Sequence, residues 1–170
     1  MPDFVCTYKP TDIFATVPPG MVLGQLVYFK ETSVDKSDTT VLPPDIGEPG
    51  CWARLGYNDS GSTVAAGKVI ARKAATVKFH VKICPSGSDP SLVAGVALGT
   101  TTTAYPYGFF AVAGQAKVEA GAAGITADTR VKVGVADGVA VDSASTDAFA
   151  FAHETATSGN FSKVTLFARF

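Results

Sequence analysis

The side chains that could carry catalysis or bind a metal are few in this chain, and they are widely spaced. They comprise two histidines and three cysteines: His80, His153, Cys6, Cys51 and Cys84. His153 is followed by Glu154, but no second histidine follows at helical spacing, so the zinc-protease motif is absent. An odd number of cysteines at long, irregular spacing indicates neither a disulfide framework nor a zinc site. We therefore expect reduced, mostly buried thiols and no bound metal.

A serine nucleophile needs a base within hydrogen-bond reach, and the sequence places no such base beside one. The stretch GYNDSG, residues 56–61, does not match the G-x-S-x-G turn that exposes a catalytic serine. His80 lies between two lysines in TVKFHVKIC, with no carboxylate close to it in sequence. We interpret it as a solvated strand histidine and predict no catalytic residues. A pocket that held His80 or His153 against a carboxylate would instead favour an enzyme.

Phosphate-binding loops are missing as well. Neither G-x-x-x-x-G-K-[ST] nor G-x-G-x-x-G occurs, so no nucleotide cofactor is expected. The acidic stretches DKSD and DSASTD lack the spacing of an EF-hand loop. We interpret them as turns whose side chains bond their own backbone, with a loose calcium site at DSASTD as the alternative. The sequence therefore predicts no cofactor of any kind.

Composition points to an assembled surface and away from polyanionic partners. The 14 basic and 15 acidic residues leave a net charge of −1, which gives no reason to bind nucleic acid or an anionic membrane. Only 17% of residues are charged, and mean hydropathy is +0.23. We expect part of this surface to be covered in an assembly, the alternative being a monomer with an alanine-rich core. With neither a secretory signal nor a membrane-spanning run in view, we expect synthesis in the cytoplasm.

The elements that must position these side chains are predicted to be strands. The chain has 20 Val and 18 Thr but only 7 Leu and 4 Glu, and the first pair suits a pleated sheet. This predicts an all-β protein, a compact antiparallel β-sandwich or barrel with an extended Pro-rich N-terminal arm. The strongest strand is TVKFHVKIC, where alternation predicts one buried and one wet face. For CWARLGYNDSG the sequence allows either a short helix or a loop.

The domain prediction is an arm at residues 1–50 with one strand, MVLGQLVYFKE, and a β domain at residues 51–170. The loop PSGSDPS, residues 85–91, is a possible internal division. Seven of the ten prolines lie in the first 50 residues, where they break regular ladders. Exposed apolar residues there need cover from a partner or from the chain's own core, and we take them as candidate partner-binding residues: Phe4, Tyr8, Ile13 and Phe14.

Two signals in the C-terminal half concern connectivity. Asp137-Gly138 between valine-rich stretches predicts a hairpin whose two central residues have positive φ. GVALGTTTTAYPYGFFAVA can be laid over AFAHETATSGNFSKVTLFA without gaps. We read this echo as two hairpins of similar composition in preference to a duplication. The chemically inert stretch YGFFAVAGQAKV, from Tyr107 to Val118, is expected to be a packing strand.

Four stretches of the C-terminal half follow one another with a particular rhythm: VAGVALG, YGFFAVAGQAKV, GITADTRVKVG and AFAHETATSGNFSKVTLFARF. A strand at Gly95–Leu98 precedes an aromatic-glycine strand that runs from Tyr107 to a small-residue turn at Gly114. An Ala- and Thr-rich segment with a late glycine then precedes the final apolar strand. Over about residues 93–170, this order resembles the small decoration (cement) proteins of tailed-phage capsids.

The resemblance implies a β domain that assembles, often as a homotrimer, on the outer surface of a phage capsid. Its partners would be the major capsid protein and further copies of itself, and it would bind across neighbouring capsid subunits and stabilise the shell. Contact with the shell is then expected from the N-terminal arm.

Two other classes stay open at this point. A receptor- or glycan-binding module of a phage fibre or tail would use exposed aromatic side chains against sugars; the candidates are Trp52, Tyr57, Tyr105 and Tyr107. An enzyme would need a pocket with converging polar groups, and the sequence offers no candidate set for it.

Overall fold

The computed structural model describes residues 8–29, 50–74 and 76–167, and these residues form an all-β protein. Within them, the strands in chain order are β1 Ile13–Phe14, β2 Leu26–Phe29, β3 Cys51–Asn58, β4 Val69–Ala74, β5 Val77–Ile83, β6 Val93–Ala97, β7 Tyr107–Glu119, β8 Arg130–Val133, β9 Ala140–Ser143, β10 Ala150–Ala152 and β11 Phe161–Leu166. A short 3-10 helix spans Pro90–Leu92. The all-β class predicted from composition is confirmed.

Five strands close on themselves to form what we call the first ring. Their spatial order is β3, β5, β4, β6 and β7, and β3 also pairs with β7, which completes the circle. The β3–β5 contact is parallel, with Tyr57 opposite His80, whereas the other four pairings are antiparallel. Closure of this kind removes the free strand edges that open sheets must protect.

A second ring is built from β7, β11, β10, β8 and β9. It is closed by a parallel bridge from Ala140 of β9 to Ala120, the residue that follows β7. The first part of β7 pairs with β1, β3 and β6, and its last part pairs with β11. One 13-residue strand therefore belongs to both rings.

The chemically inert stretch that forms β7 packs on both of its faces. Phe109 and Ala111 belong to the main hydrophobic cluster, which continues through the second ring, while Phe110 and Val112 belong to a separate cluster of the first ring. Such two-sided burial requires a nearly continuous apolar run. Gly114 has φ +81°, and a Cβ placed there would lie 2.5 Å from the carbonyl oxygen of Gly50. The close approach of two backbones therefore demands glycine.

The strand pairings of the first ring recur in the second. The three most informative correspondences are Asn58↔Val81 with Ala120↔Ala140, Ile70↔Gly95 with Val131↔Ala150, and Ala97↔Phe110 with Ala152↔Val164. In this correspondence the end of β7 takes the place that β3 has in the first ring. The four strands that follow it then correspond in order: β8 to β4, β9 to β5, β10 to β6 and β11 to β7. The two stretches of the echo thus form hairpins at equivalent places in the two rings, and the preference for shared composition over duplication stays a prediction. The overlay needs one gap, because β6 matches β10 at a spacing of 55 residues and β7 matches β11 at 54.

The segment before the first ring packs against it. The strand predicted in MVLGQLVYFKE forms over Leu26–Phe29 and pairs antiparallel with β3. The short β1 pairs with the start of β7. Because residues 1–7 and 30–49 lie outside the described residues, the division of the chain into an arm and a domain stays a prediction.

Three local expectations need correction. CWARLGYN is the strand β3, because β2, β5 and β7 all pair with it and override its weak local signal. The β5 strand forms, but among its apolar residues only Val81 is fully buried, since Phe79 adopts φ +63° and interrupts the alternation. The β8–β9 hairpin also forms, but only Gly138 of the predicted pair has positive φ. The carboxylate of Asp137 instead accepts a hydrogen bond from the Ser86 amide at 2.8 Å.

Candidate binding cleft in the first ring

The predicted partner-binding residues of the N-terminal segment lie on the chain's own core where they are described. The rings of Tyr8 and Phe14 meet edge-on with centroids 5.2 Å apart, and Phe14 meets Phe109 at 6.0 Å. Ile13 is half-buried in β1, and Phe4 lies outside the described residues. This packing supplies the cover that these side chains require, and a role for them in partner binding stays a prediction.

The cysteines behave as buried thiols where the structure describes them. Cys51 and Cys84 are free and fully buried, and Cys6 lies outside the described residues. Burial raises the pKa of the Cys51 thiol to about 12. Burial is also the main reason that the pKa of Cys84 is raised. Because the thiolate is the reactive form, neither group is suited to nucleophilic chemistry at neutral pH.

The acidic stretch DSASTD forms a turn whose first residue caps a neighbouring loop. Asp142 accepts hydrogen bonds from the Thr126 amide at 2.8 Å and the Thr129 hydroxyl at 2.7 Å. Partial burial acts to raise the pKa of Asp142, but these bonds outweigh it and the pKa is lowered. Within residues 8–29, 50–74 and 76–167, no three acidic, histidine or cysteine side chains cluster as metal ligands would. The stretch DKSD lies outside those ranges.

His80 has a carboxylate partner that the sequence did not reveal. The parallel pairing of β3 with β5 brings Asp59 beside it, with Nδ1 3.3 Å from Oδ2, and the ring of Tyr57 lies 4.7 Å away. This is the base-and-orienter half of a hydrolytic triad. His80 also lines the cleft described below, so the condition stated above for favouring an enzyme is met. Among the described residues, His80 has no hydrogen bond to a hydroxyl or thiol that could act as nucleophile. His153 is exposed and bonds the Thr165 hydroxyl at 2.7 Å.

A cleft of about 460 Å³ lies at one end of the first ring, and all five strands of the ring line it. Its cationic side chains come from three different strands, namely Arg54, Arg72 and Lys78, and the imidazole of His80 also lines it. Its apolar surface includes Phe79, Phe110 and Val112. None of the described residues that line the cleft is acidic. A volume of this size is in the range of ligand-binding pockets, and its charge suits an anionic group.

The cations of the cleft differ in how firmly they are held. Arg54 is half-buried, donates a hydrogen bond to the Gly24 carbonyl at 2.8 Å, and lies over the ring of Phe79 at 5.6 Å. Arg72 and Lys78 are exposed, and neither forms an ion pair with a described residue. The cleft therefore has one fixed positive charge and two adaptable ones.

The second ring lacks these charges at the matching positions. The counterpart of Arg54 in the second ring is Ala116, because Ala116 pairs with Val164 there as Arg54 pairs with Phe110 in the first ring. The counterpart of Arg72, by the same comparison, is Val133; both Ala116 and Val133 are buried. The fold itself therefore does not require arginine at either position.

The comparison of the two rings also shows that Phe79 stands where the second ring has glycine. Its counterpart in the second ring is Gly138, and both residues have left-handed backbones, with φ of +63° and +69°. Glycine adopts this conformation without strain, whereas a bulky residue there is an outlier. The ring of Phe79 packs over Gly24, where a Cβ would overlap it, and under Arg54. Backbone strain kept at a cleft is a recurring property of functional sites.

Large apolar side chains are exposed around the cleft. Trp52 lies two residues before Arg54 in β3 and is 42% exposed. Its ring lies 5.1 Å from the ring of Tyr28, which is also exposed. Val77 lines the cleft, and Leu92 stands between two further lining residues and is 57% exposed. We call Trp52, Tyr28, Val77 and Leu92 the apolar rim. The other aromatic candidates differ: Tyr57 and Tyr107 pack on each other at 5.1 Å, and Tyr105 is exposed on a separate loop.

Comparison with known proteins identifies a relative in fold. The N base of the head fiber protein gp8.5 of bacteriophage phi29 matches with a TM-score of 0.51. The match covers 68% of this chain and 94% of that one, at 17% sequence identity. The two proteins share a fold. No protein-family model matches the sequence, and the search of curated proteins found no relative.

Sequence reasoning missed the cleft because its residues are distant from one another in sequence. Arg54, Arg72 and Phe110 come from separate strands and are brought together only by ring closure. The one local signal was the charge of TVKFHVKIC, where five of the cleft residues follow one another.

Proposed function

We propose that this chain is a structural protein of a phage virion: a decoration protein that binds the outer surface of the capsid across neighbouring major capsid subunits and stabilises the shell. The observation that supports it is the fold shared with the N base of a phage head fiber protein. The resemblance of residues 93–170 to capsid cement proteins is an independent reason from sequence. Both support a structural role in a phage virion.

The surface suits association. Only 17% of the residues are charged, and the apolar rim leaves large side chains in contact with water. A standard interface of about 800 Å² per partner would cover such a rim. Repeated attachment around a closed shell then adds avidity to each modest contact. We further propose self-association, with a homotrimer as the expected state, and a role without catalysis.

A second candidate is a receptor- or glycan-binding module of a phage fibre or tail. Two observations favour it: the exposed Trp52–Tyr28 pair offers flat aromatic surface, and the structural relative is itself part of a fiber. The two candidates differ in their target, since one binds the shell and the other binds the host.

Co-sedimentation with capsids tests the first candidate. The purified protein is mixed with capsids of the source phage that lack it, and with free major capsid subunits. We expect it to pellet with assembled capsids, to leave free subunits unbound, and to raise the temperature at which capsids rupture. A protein that ignores capsids but binds host-surface saccharides on a glycan array would reject decoration in favour of the fibre module. Light scattering of the free protein would show whether it is a trimer.

A further inference from the structure

We propose that the cleft of the first ring binds an acidic segment of a partner protein, with carboxylates at Arg72 and Lys78 and an apolar side chain against Phe79 and Phe110. That the partner is the capsid shell rests on the proposed function. The existence of the acidic-segment site does not, because the cleft alone carries it.

Charge is the first step of the argument. Three cationic side chains line the cleft, Arg54, Arg72 and Lys78, and no described lining residue is acidic. Within the described part of the chain, none of these three forms an ion pair, and Asp59 is paired with the neighbouring His80 at 3.3 Å. The half-buried Lys68, by comparison, has the carboxylate of Glu119 at 2.8 Å. Positive groups left without acids inside the chain complement a negatively charged partner.

Residue type is the second step. The fold does not need arginine at these positions, because the second ring has Ala116 and Val133 in place of Arg54 and Arg72. Nor does it need phenylalanine at the left-handed position of Phe79, where the second ring has glycine. Arg54, Arg72 and Phe79 are thus three residues that the fold does not require, and all three line one cleft. Phe79 also keeps a strained backbone there.

The lining also discriminates between classes of partner. Besides its cations, the cleft offers aromatic and aliphatic side chains, and Ser91 is its only neutral side chain with a hydroxyl or amide among the described lining residues. A saccharide presents many hydroxyl groups, each of which needs a hydrogen-bond partner once it is buried. An acidic peptide with an apolar side chain matches the lining better. The apolar rim adds a tryptophan and a tyrosine, and the cleft itself has two arginines; these three residue types are enriched in protein–protein hot spots.

The test uses two matched double variants. Arg72→Glu with Lys78→Glu reverses the two adaptable charges of the cleft, both of which are exposed and unpaired with described residues. Arg130→Glu with Lys132→Glu makes the same charge change on exposed positions of the second ring. The unfolding midpoints of both variants are compared with that of the unaltered chain, so that binding is read only from folded protein.

Two binding measurements are made with each protein: co-sedimentation with capsids, and titration with the end-blocked peptide Glu-Glu-Leu-Glu-Glu. Peptide binding is followed by the fluorescence of Trp52, the single tryptophan of the chain, which lies on the apolar rim. We expect the cleft variant to bind about 100-fold more weakly, since each charge-assisted contact accounts for about 10-fold or more. The second-ring variant should bind as the unaltered chain does, and added salt should weaken the peptide complex.

Capsid binding that is lost only in the cleft variant supports the site and the shell as its partner. If capsid binding and peptide binding are each equal in both variants, the site is overturned while the proposed function stays intact. If the chain ignores capsids but binds the peptide through the cleft, the proposed function fails and the acidic-segment site stands. If the carboxylated polysaccharide alginate binds through the cleft and the peptide does not, the site belongs to a glycan and the proposal is overturned.

Discussion

Replacing Gly114 by alanine tests whether β7 can serve both rings only because its backbone touches that of Gly50. Gly114 has φ +81°, a conformation that costs an L-residue about 1–2 kcal/mol. The new Cβ would stand 2.5 Å from the Gly50 carbonyl oxygen, so β3 and β7 must move apart. Forced overpacking of this kind costs about 1–3 kcal/mol. We expect the free energy of unfolding to fall by about 2–5 kcal/mol, out of a typical 5–15 kcal/mol.

The matched control is Gly159→Ala. Gly159 has φ +79°, but no atom lies within 4 Å of the position that its Cβ would take. It should therefore lose only the conformational part, about 1–2 kcal/mol, and any effect of alanine on the unfolded chain is shared by both variants. Urea unfolding followed by Trp52 fluorescence measures the difference, because Trp52 pairs with Ala113 across β3 and β7. Losses that are equal in the two variants to within about 0.5 kcal/mol would refute the close approach.

Three further outcomes are expected. Phe79→Gly should be more stable than Phe79→Ala by about 1 kcal/mol in urea unfolding, because only glycine relieves the left-handed backbone. In an ordinary strand alanine is the more stable of the two. A Phe79→Ala variant that is the more stable would therefore contradict the strain at this position. Cys51 should resist thiol reagents at pH 8 until the protein unfolds, and since its pKa rises on folding, its contribution to stability should fade above pH 9, a slope that Cys51→Ala should lack. Asp142→Ala should lower the free energy of unfolding by about 1 kcal/mol at pH 7; because the pKa of Asp142 is lowered by folding, the difference should vanish as the pH falls below 3.8 through its folded pKa, and a difference that persisted there would contradict the assignment.

The strand content could be predicted because its signals are local. Valine-rich alternation and the Asp137-Gly138 turn located the β8–β9 hairpin, and the apolar pattern of the last segment located β11. The failures came where pairing between distant segments decides the conformation. Cys51–Asn58 has little strand signal of its own and is a strand because three neighbours pair with it.

The cleft and the repeated ring could not be predicted because neither depends on a local pattern. The repetition preserves which strands pair and leaves residue type free, as Arg54 against Ala116 and Phe79 against Gly138 show. The contact of His80 with Asp59 likewise needs the parallel pairing of β3 with β5, across 21 residues. Sequence reasoning could find the cations but could not place them together.

The sharing of β7 sets a limit on how this protein can be shortened or rearranged. A truncation that removed all of β7 together with one ring would leave the other ring open, because β3 and β6 pair with the first part of this strand and β11 pairs with its last part. A cut can therefore release one ring in closed form only if it keeps the part of β7 that this ring uses. The two rings meanwhile differ in their side chains, since Ala116 and Val133 are buried in the second ring at the places where Arg54 and Arg72 line the cleft of the first.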